Sequence, residues 1–129
     1  MSEIKLLDCT VRDGGYLNDW NFGQGVLLES VQRLANAGIE YIEVGFLDDR
    51  RPFDINRSIF PDTQSIKKIF GSINKKNSKL VGMIDFGTCD ISNLEPCKDA
   101  LIDGIRVIFK KEKMEGAIAY CHEIKKLGY

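Results

Sequence analysis

Short apolar runs of strand length alternate along the chain with stretches in which apolar residues recur at helical spacing. This rhythm constrains the fold more than any other feature, because successive strands joined by helices pair in parallel. Strands are predicted at residues 4–7, 41–46, 79–85 and 104–109. The pattern therefore predicts an α/β protein of four βα units. Periodicity leaves two architectures open, a (β/α)₈ barrel and an open doubly wound sheet.

Helices are predicted in the segments between and after these strands. Residues 25–37 place apolar side chains on one face and end before Gly38, a typical C-terminal cap. A second helix follows Asp62, a typical N-cap residue, and a shorter one is predicted at 91–101. The last helix is predicted at 113–127. The residues expected to face inward from it are Ala117, Ile118, Cys121 and Ile124.

Charge and cysteine content narrow the possible partners and compartment. Lysine and arginine number 18 against 19 acidic residues, so no bulk field attracts nucleic acid or an anionic membrane surface, and a small-molecule ligand is expected. The 4 cysteines form no CxxC pair, and no N-terminal apolar stretch indicates a signal peptide. No run reaches the roughly 18 apolar residues of a membrane helix. We expect a cytoplasmic protein without membrane contact.

A cluster of charged residues follows the first predicted strand. Asp8, Arg12 and Asp13 fall within one short segment at the carboxyl end of that strand, where ligand sites of parallel α/β folds collect. Gly14 and Gly15 come next and allow a ligand to approach the backbone, or a positive φ. A solvated turn with an internal salt bridge explains the same residues equally well on physical grounds.

The string from residue 8 to residue 15 reads DxTxRDGG and resembles the signature of the DRE-TIM metallolyase superfamily. That superfamily includes aldolases, HMG-CoA lyase, the isopropylmalate and homocitrate synthases and carboxyltransferase domains. The segment YIEVG at 41–45 is similar to the second strand of the family, and the longer string at 7–20 is most similar to 4-hydroxy-2-oxovalerate aldolase-like proteins. The resemblance implies a TIM barrel, and residues 1–129 are expected to be the N-terminal half of a catalytic domain of this kind, in truncated form.

The resemblance also implies roles for individual residues. Asp13 is expected to ligate a divalent cation, Mn²⁺ or Mg²⁺, since such cations prefer hard oxygen ligands. Arg12 is expected to be catalytic and to bind substrate, placing its forked donors at the oxygen of a pyruvate enolate. Gly14 is expected to lie against the substrate. Asp8 and Glu43 are expected to hold the Arg12 fork in position, although either carboxylate also suits a local salt bridge or cap.

The chain departs from the family pattern at two places. The family takes its other metal ligands from a His-x-His pair, whereas the one histidine here, His122, lies in the last predicted helix and is expected to be a surface residue. The position of the general-base histidine of related aldolases is Tyr16. A phenol with an ordinary pKa near 10 is a poor base at neutral pH. The base is therefore left open among Tyr16 beside the metal, Asn18 or Asp19 through a water, and a residue elsewhere.

Other charged residues carry weaker expectations. The lysines at 67–68, 75–76 and 110–111 are expected to be solvated surface, not a phosphate or nucleic-acid site. Arg50 or Arg51 could meet a substrate carboxylate or belong to an exposed loop. One of the charges at the ends of the third and fourth strands, Asp85, Arg106 or Lys110, could point into the mouth of a barrel.

These observations predict a divalent-metal-dependent aldolase that cleaves a 4-hydroxy-2-oxo acid to pyruvate and an aldehyde. An acyl-CoA condensing enzyme of the same superfamily and a non-catalytic barrel domain are the alternatives. The expected partners are a 2-oxo acid substrate and, for the intact protein, a second copy or an aldehyde dehydrogenase. The 129 residues lack the His-x-His ligands of the metal site that the resemblance implies, so the isolated chain is expected to be inactive.

Overall fold

A parallel sheet forms the framework of the protein, for which a computed structural model describes residues 2–129. Its strands lie in the order β1-β2-β4-β5, and the short β3 pairs with the far end of β2. Every pairing between these strands is parallel, so the predicted α/β class with a parallel sheet is confirmed. The strands are β1 (Leu7–Asp8), β2 (Tyr41–Leu47), β3 (Ile59–Phe60), β4 (Lys79–Asp85) and β5 (Gly104–Ile108).

The helices lie between the strands and after the last one. Two single turns, α1 (Thr10–Asp13) and α2 (Gly15–Asn18), follow β1 directly, and two 3₁₀ turns span Ile91–Asn93 and Lys111–Lys113. The longer helices are α3 (Gln24–Asn36), α4 (Thr63–Phe70) and α5 (Met114–Lys126). None of the helices within residues 2–129 combines the length and apolar character that crossing a bilayer requires.

The three longer helices share one face of the sheet. Leu27 of α3, Phe70 of α4 and Ile124 of α5 are buried in one apolar cluster with Ile42 and Ile84 of the central strands. Burial of such side chains contributes about 1.5–3 kcal/mol each, which holds the helices to the sheet. The opposite face carries a second, smaller apolar cluster formed by Trp20, Phe46, Ile59 and Met83.

Local signals in the sequence set several element boundaries. Asp62 caps α4 as predicted, because its carboxylate accepts a hydrogen bond of 2.7 Å from the backbone N–H of Ser65. Gly38 and Gly128 follow α3 and α5 with φ of +80° and +98°, the left-handed conformation that glycine adopts without strain. The strand predicted at 79–85 is observed with the same bounds.

Three predictions about secondary structure are wrong. The first strand lies at Leu7–Asp8 and not at 4–7, and the segment before it is exposed. The helix predicted at 91–101 is only the 3₁₀ turn Ile91–Asn93, because Pro96 lacks an N–H and disfavours helix in the residue before it. Ile118 was expected to face inward from the last helix, but its side chain is 48% exposed.

Candidate functional site

The turn after β1 is shaped by Asp8 and Cys9. The Asp8 carboxylate accepts hydrogen bonds from the backbone N–H and the hydroxyl of Thr10, at 3.0 and 3.1 Å. The Cys9 carbonyl accepts from the N–H groups of Arg12 and Asp13, at 3.1 and 2.7 Å. This local capping starts α1 as soon as the strand ends and turns Arg12 back over the sheet. Asp8 thus bonds to Thr10, and no hydrogen bond joins it to Arg12.

Glu43 is completely buried in the middle of the sheet and pairs with two arginines. Arg12 Nε donates to its Oε1, and Arg106 donates from Nε to Oε2 at 2.7 Å and from Nη2 to Oε1 at 2.9 Å. Ile105 and Val107, the neighbours of Arg106 in β5, pack against the helix-side core. Because side chains alternate along a strand, Arg106 and the Glu43 carboxylate lie on the face without helices.

The electrostatics of this triad favour permanently charged arginines. Burial alone lowers the pKa of Arg12, but the hydrogen bond and charge of Glu43 raise it above its usual value. The hydrogen bond that Arg106 donates to Glu43 likewise raises the pKa of Arg106. A buried carboxylate is costly to keep unless it is paired, and here both oxygens are occupied. One carboxylate facing two guanidinium groups leaves one positive charge in excess.

Asp13 lies beside this triad and faces outward. Its Oδ1 accepts from Arg12 Nη1 at 2.9 Å, and the side chain is 64% exposed. The second carboxylate oxygen makes no hydrogen bond within residues 2–129 and remains available to a cation. A direct chain of contacts therefore runs from Glu43 through Arg12 to Asp13, at the carboxyl edge of the sheet. Of the charged residues that the resemblance singled out, the structure brings Arg12, Asp13 and Glu43 together, whereas Asp8 bonds to Thr10.

Gly14 and Gly15 are required by close packing and not by backbone conformation. Gly14 has φ of −60°, and a Cβ there would lie 2.6 Å from the Thr10 carbonyl oxygen. A Cβ at Gly15 would lie 1.9 Å from the indole of Trp20. The Trp20 Nε1–H donates to the Arg12 carbonyl at 2.8 Å, so the indole holds the backbone of Arg12 in position. Of the two possibilities that the sequence left open at these glycines, the positive φ is not adopted.

The three candidates for a general base differ in their surroundings. Tyr16 is 59% exposed and packs edge to face on Trp20, with ring centroids 4.9 Å apart. Asn18 contacts only the Asn21 carbonyl, at 3.5 Å. The Asp19 carboxylate accepts hydrogen bonds from Arg51 and Arg57. The hydrogen bond from Arg51 lowers the pKa of Asp19. Asp19 is thus a structural anion, and Tyr16 is the candidate that is free to meet a ligand.

A complete metal centre is not formed by the residues that the structure describes. Within residues 2–129, no three His, Cys, Asp or Glu side chains come together in a way that could hold a metal ion. His122 lies on α5 and is exposed. The Asp13 carboxylate oxygen that accepts no hydrogen bond is a hard ligand, so it suits one coordination position of Mn²⁺ or Mg²⁺. The fit is therefore partial, limited to that single ligand.

Several other basic residues form ion pairs away from this cluster. Arg51 binds Asp19 through two bonds of 2.7 and 2.9 Å, so it stabilises the loop after β2. Lys67 pairs with Glu95 and Lys75 with Asp103. These lysines join surface segments.

A cavity of about 390 Å³ lies between the turn after β4 and α5, and the cysteine in its lining is not a reactive thiol. It is lined by Asp49, Cys89, Tyr120 and Glu123, among others. Burial raises the pKa of the Cys89 thiol to about 12, so the reactive thiolate is not formed at neutral pH. The charged cluster around Glu43 is the better candidate for chemistry.

Sequence reasoning did not assign a partner to Arg106. A single charge in the otherwise apolar run of β5 was the available signal, because such a charge must find a buried counter-ion.

Comparison of the chain with protein-family models, with curated proteins and with solved structures finds no match.

Proposed function

We propose that this chain forms part of the active site of a divalent-metal-dependent carbon–carbon lyase, which cleaves a 4-hydroxy-2-oxo acid to pyruvate and an aldehyde. The observation that carries the proposal is the contact chain from the buried Glu43 through Arg12 to the exposed carboxylate of Asp13. It combines a fixed cation and a free hard anion at the carboxyl edge of parallel strands, where such folds bind ligands. The resemblance to the DRE-TIM metallolyases rests on the same residues.

The proposal includes a (β/α)₈ barrel as the architecture of the intact protein. The strand order β1-β2-β4-β5 follows the chain without reversal, and α3, α4 and α5 lie on one face. A doubly wound sheet has helices on both faces and a reversal of strand order, whereas a barrel has neither. The face without helices would then be the interior of the barrel.

The chain's own residues would act on the 2-oxo acid unit. The Arg12 guanidinium uses Nε for Glu43 and Nη1 for Asp13, which leaves Nη2 to donate to the substrate oxygen that gains negative charge on cleavage. Glu43 and Arg106 fix the direction of that donor. A donor held in position before reaction costs no reorganisation in the transition state. Tyr16, whose side chain is exposed, would orient the 4-hydroxyl group of the substrate.

Asp13 would supply one ligand of the divalent cation. A bound Mn²⁺ or Mg²⁺ acts as a Lewis acid toward the oxygens of a 2-oxo acid. Every other role proposed here belongs to side chains within residues 2–129. The isolated chain offers one ligand, so turnover is to be measured with the intact protein.

Release of pyruvate tests this function. The intact protein with Mn²⁺ is expected to release pyruvate from at least one 4-hydroxy-2-oxo acid. The pyruvate is measured by its reduction in a coupled assay with lactate dehydrogenase. Arg12→Lys is expected to lower kcat by about 10²–10³, because the ammonium group lacks the forked geometry and has fewer N–H donors than the guanidinium. Arg33→Lys, an exchange at an exposed ion pair on α3, is the matched control and is expected to retain activity. Absence of pyruvate from every such acid tested contradicts the proposal.

A further inference from the structure

A small cationic cavity opens at the carboxyl edge of the sheet, where the chain leaves β2, β4 and β5. Its volume is about 200 Å³, and it is lined by Arg50, Lys110 and Lys113 together with Asp85 and Thr88. Three positive charges thus face one negative charge across a space large enough for a small anion. None of these residues has a role in the function proposed above.

The two lysines come from one short turn. Lys110 precedes the 3₁₀ turn Lys111–Lys113, and the N–H of Lys113, its last residue, donates to the Lys110 carbonyl at 2.8 Å. Both side chains line the cavity. Neither lysine forms an ion pair within residues 2–129, whereas Lys67 and Lys75 each pair with a carboxylate.

Arg50 is fixed in place from the opposite side of the cavity. Its Nε and Nη2 donate to the two oxygens of Asp48, at 2.8 and 2.5 Å, and the Asp48 side chain is only 4% exposed. This fork-to-fork pair orients the guanidinium and leaves Nη1 for a ligand. Asp48 neutralises Arg50, and among the residues that line the cavity the two lysines then outnumber the one carboxylate, Asp85.

The cavity lies directly beyond the charged triad along the strands. Arg106 pairs with Met83 in the register of β4 and β5, and Asp85 pairs with Ile108 two residues further on. Two residues of parallel strand span about 7 Å, so the cavity begins roughly that far from Arg106 toward the carboxyl edge. One extended ligand with anionic groups at both ends could reach both places.

We propose that Arg50, Lys110 and Lys113 form an anion subsite, which binds a second anionic group, a carboxylate or a phosphate, at the distal end of the substrate. The assignment of this anionic group to the substrate of the lyase rests on the function proposed above, whereas the binding of an anion at the subsite does not. The preferred substrate class is a 4-hydroxy-2-oxo acid with a charged tail. An aldehyde carrying an anionic group would be the second product.

Titration calorimetry of the intact protein with inorganic phosphate, and separately with acetate, tests the subsite. At least one of the two is expected to bind saturably, and the tighter one identifies the type of anionic group. The double variant Lys110→Gln/Lys113→Gln is expected to weaken that binding at least about tenfold, since two charged donors are lost. The control Lys79→Gln/Lys98→Gln makes the same change of net charge away from the cavity and is expected to bind as the wild type does. The absence of saturable binding, wild-type affinity in the first variant, or an equal loss in the control overturns the proposal.

Turnover separates this inference from the lyase function. If the wild type releases pyruvate, the Lys110→Gln/Lys113→Gln variant is expected to lose at least about ten times more kcat/KM with a charged-tail substrate than with an uncharged one. Equal losses overturn the assignment of the subsite to substrate. If the wild type releases no pyruvate, the lyase function fails, and the titration alone decides whether the anion subsite exists.

Discussion

Glu43 determines the charge balance of the candidate site. It has no contact with solvent, and both of its oxygens accept hydrogen bonds from guanidinium groups. Removal of one partner from a buried ion pair leaves a charge that neither water nor protein compensates. The stability of the sheet and the direction of Arg12 therefore depend on the same carboxylate.

Glu43→Gln is expected to lower the free energy of unfolding by about 3 kcal/mol, because Arg106 then has no carboxylate partner and Arg12 keeps only the exposed Asp13. Urea unfolding measures the loss. Glu29→Gln is the control, since its ion pair with Arg33 is exposed at the helix surface, and no measurable change is expected there. Equal stability of Glu43→Gln and wild type would contradict the buried triad.

A second residue-scale prediction concerns Gly15. Gly15→Ala is expected to destabilise the protein by about 1–3 kcal/mol, because its Cβ would overlap the Trp20 indole and force a repacking. At Gly25, in the first turn of α3, a Cβ would meet nothing within 4 Å. Gly25→Ala is therefore the matched control and is expected to stabilise by about 0.5 kcal/mol. Thermal unfolding of the two variants compares them directly, and similar shifts in Tm would contradict the packing seen here.

At the residue scale, the sequence could predict which charges cluster but not all of their partners. The resemblance singled out Asp8, Arg12, Asp13 and Glu43; the last three meet, whereas Asp8 bonds to Thr10 instead of Arg12. The bidentate partner Arg106 lies 63 residues from Glu43, a pairing that only the register of the strands determines. The need for glycine at position 15 also escaped prediction, since it arises from a tryptophan that folds back onto it.

At the scale of elements, the turn after β2 is built on one buried acid. Burial by itself raises the pKa of Asp48, but the hydrogen bonds from the Arg50 side chain and backbone outweigh it and lower the pKa below the ordinary value. In the folded state Asp48 is therefore more acidic than in the unfolded chain. Its contribution to stability is present at neutral pH and is lost as the pH falls below about 4 through the folded-state pKa.

Replacement of Asp48 by asparagine is expected to flatten this acid dependence. Urea unfolding from about pH 7 down to about pH 2 should show a smaller decline for Asp48→Asn than for the wild type, because the titrating group is absent. Asp99→Asn removes an exposed carboxylate that makes no side-chain hydrogen bond and is expected to keep the wild-type profile. If Asp48→Asn declines as steeply as the wild type, the pairing of Asp48 with Arg50 does not act as described.

Elements with long periodic patterns could be predicted, and short ones could not. β2, β4 and the three longer helices have strong apolar patterns, which tertiary packing then confirms. The single turns α1 and α2 are too short for any period and depend on capping by Asp8 and on the Trp20 contact. The failed helix at 91–101 contained Pro96, and its chain is held instead by side chains such as Tyr129, which donates to the Glu95 carbonyl.

At the scale of the whole molecule, β5 leaves one side of the sheet open. Among the strands within residues 2–129, β5 pairs with β4 alone. A cavity of about 280 Å³ with an apolar lining, including Ile105, Val107 and Ile124, lies next to this edge. Unpaired backbone groups beside apolar side chains favour association with another strand.

The 129-residue chain is accordingly expected to self-associate through β5. Sedimentation velocity should show a weight-average mass that rises with protein concentration. Amide hydrogen exchange should slow in β5 over the same concentration range, because new backbone pairs form there. β2, which already has neighbours on both sides, is the internal control and should exchange at a constant rate. A monomer at all concentrations, with constant exchange in β5, would contradict this.

Trp20 provides a built-in optical probe of the site. It is the one tryptophan in the sequence, it is nearly buried, and its indole N–H holds the Arg12 carbonyl. Its emission therefore comes from a single environment, in contact with the backbone of the arginine that we propose as catalytic. Any ligand or cation that shifts Arg12 changes the fluorescence of the unlabelled protein, so site occupancy can be followed without a dye and without knowledge of the substrate.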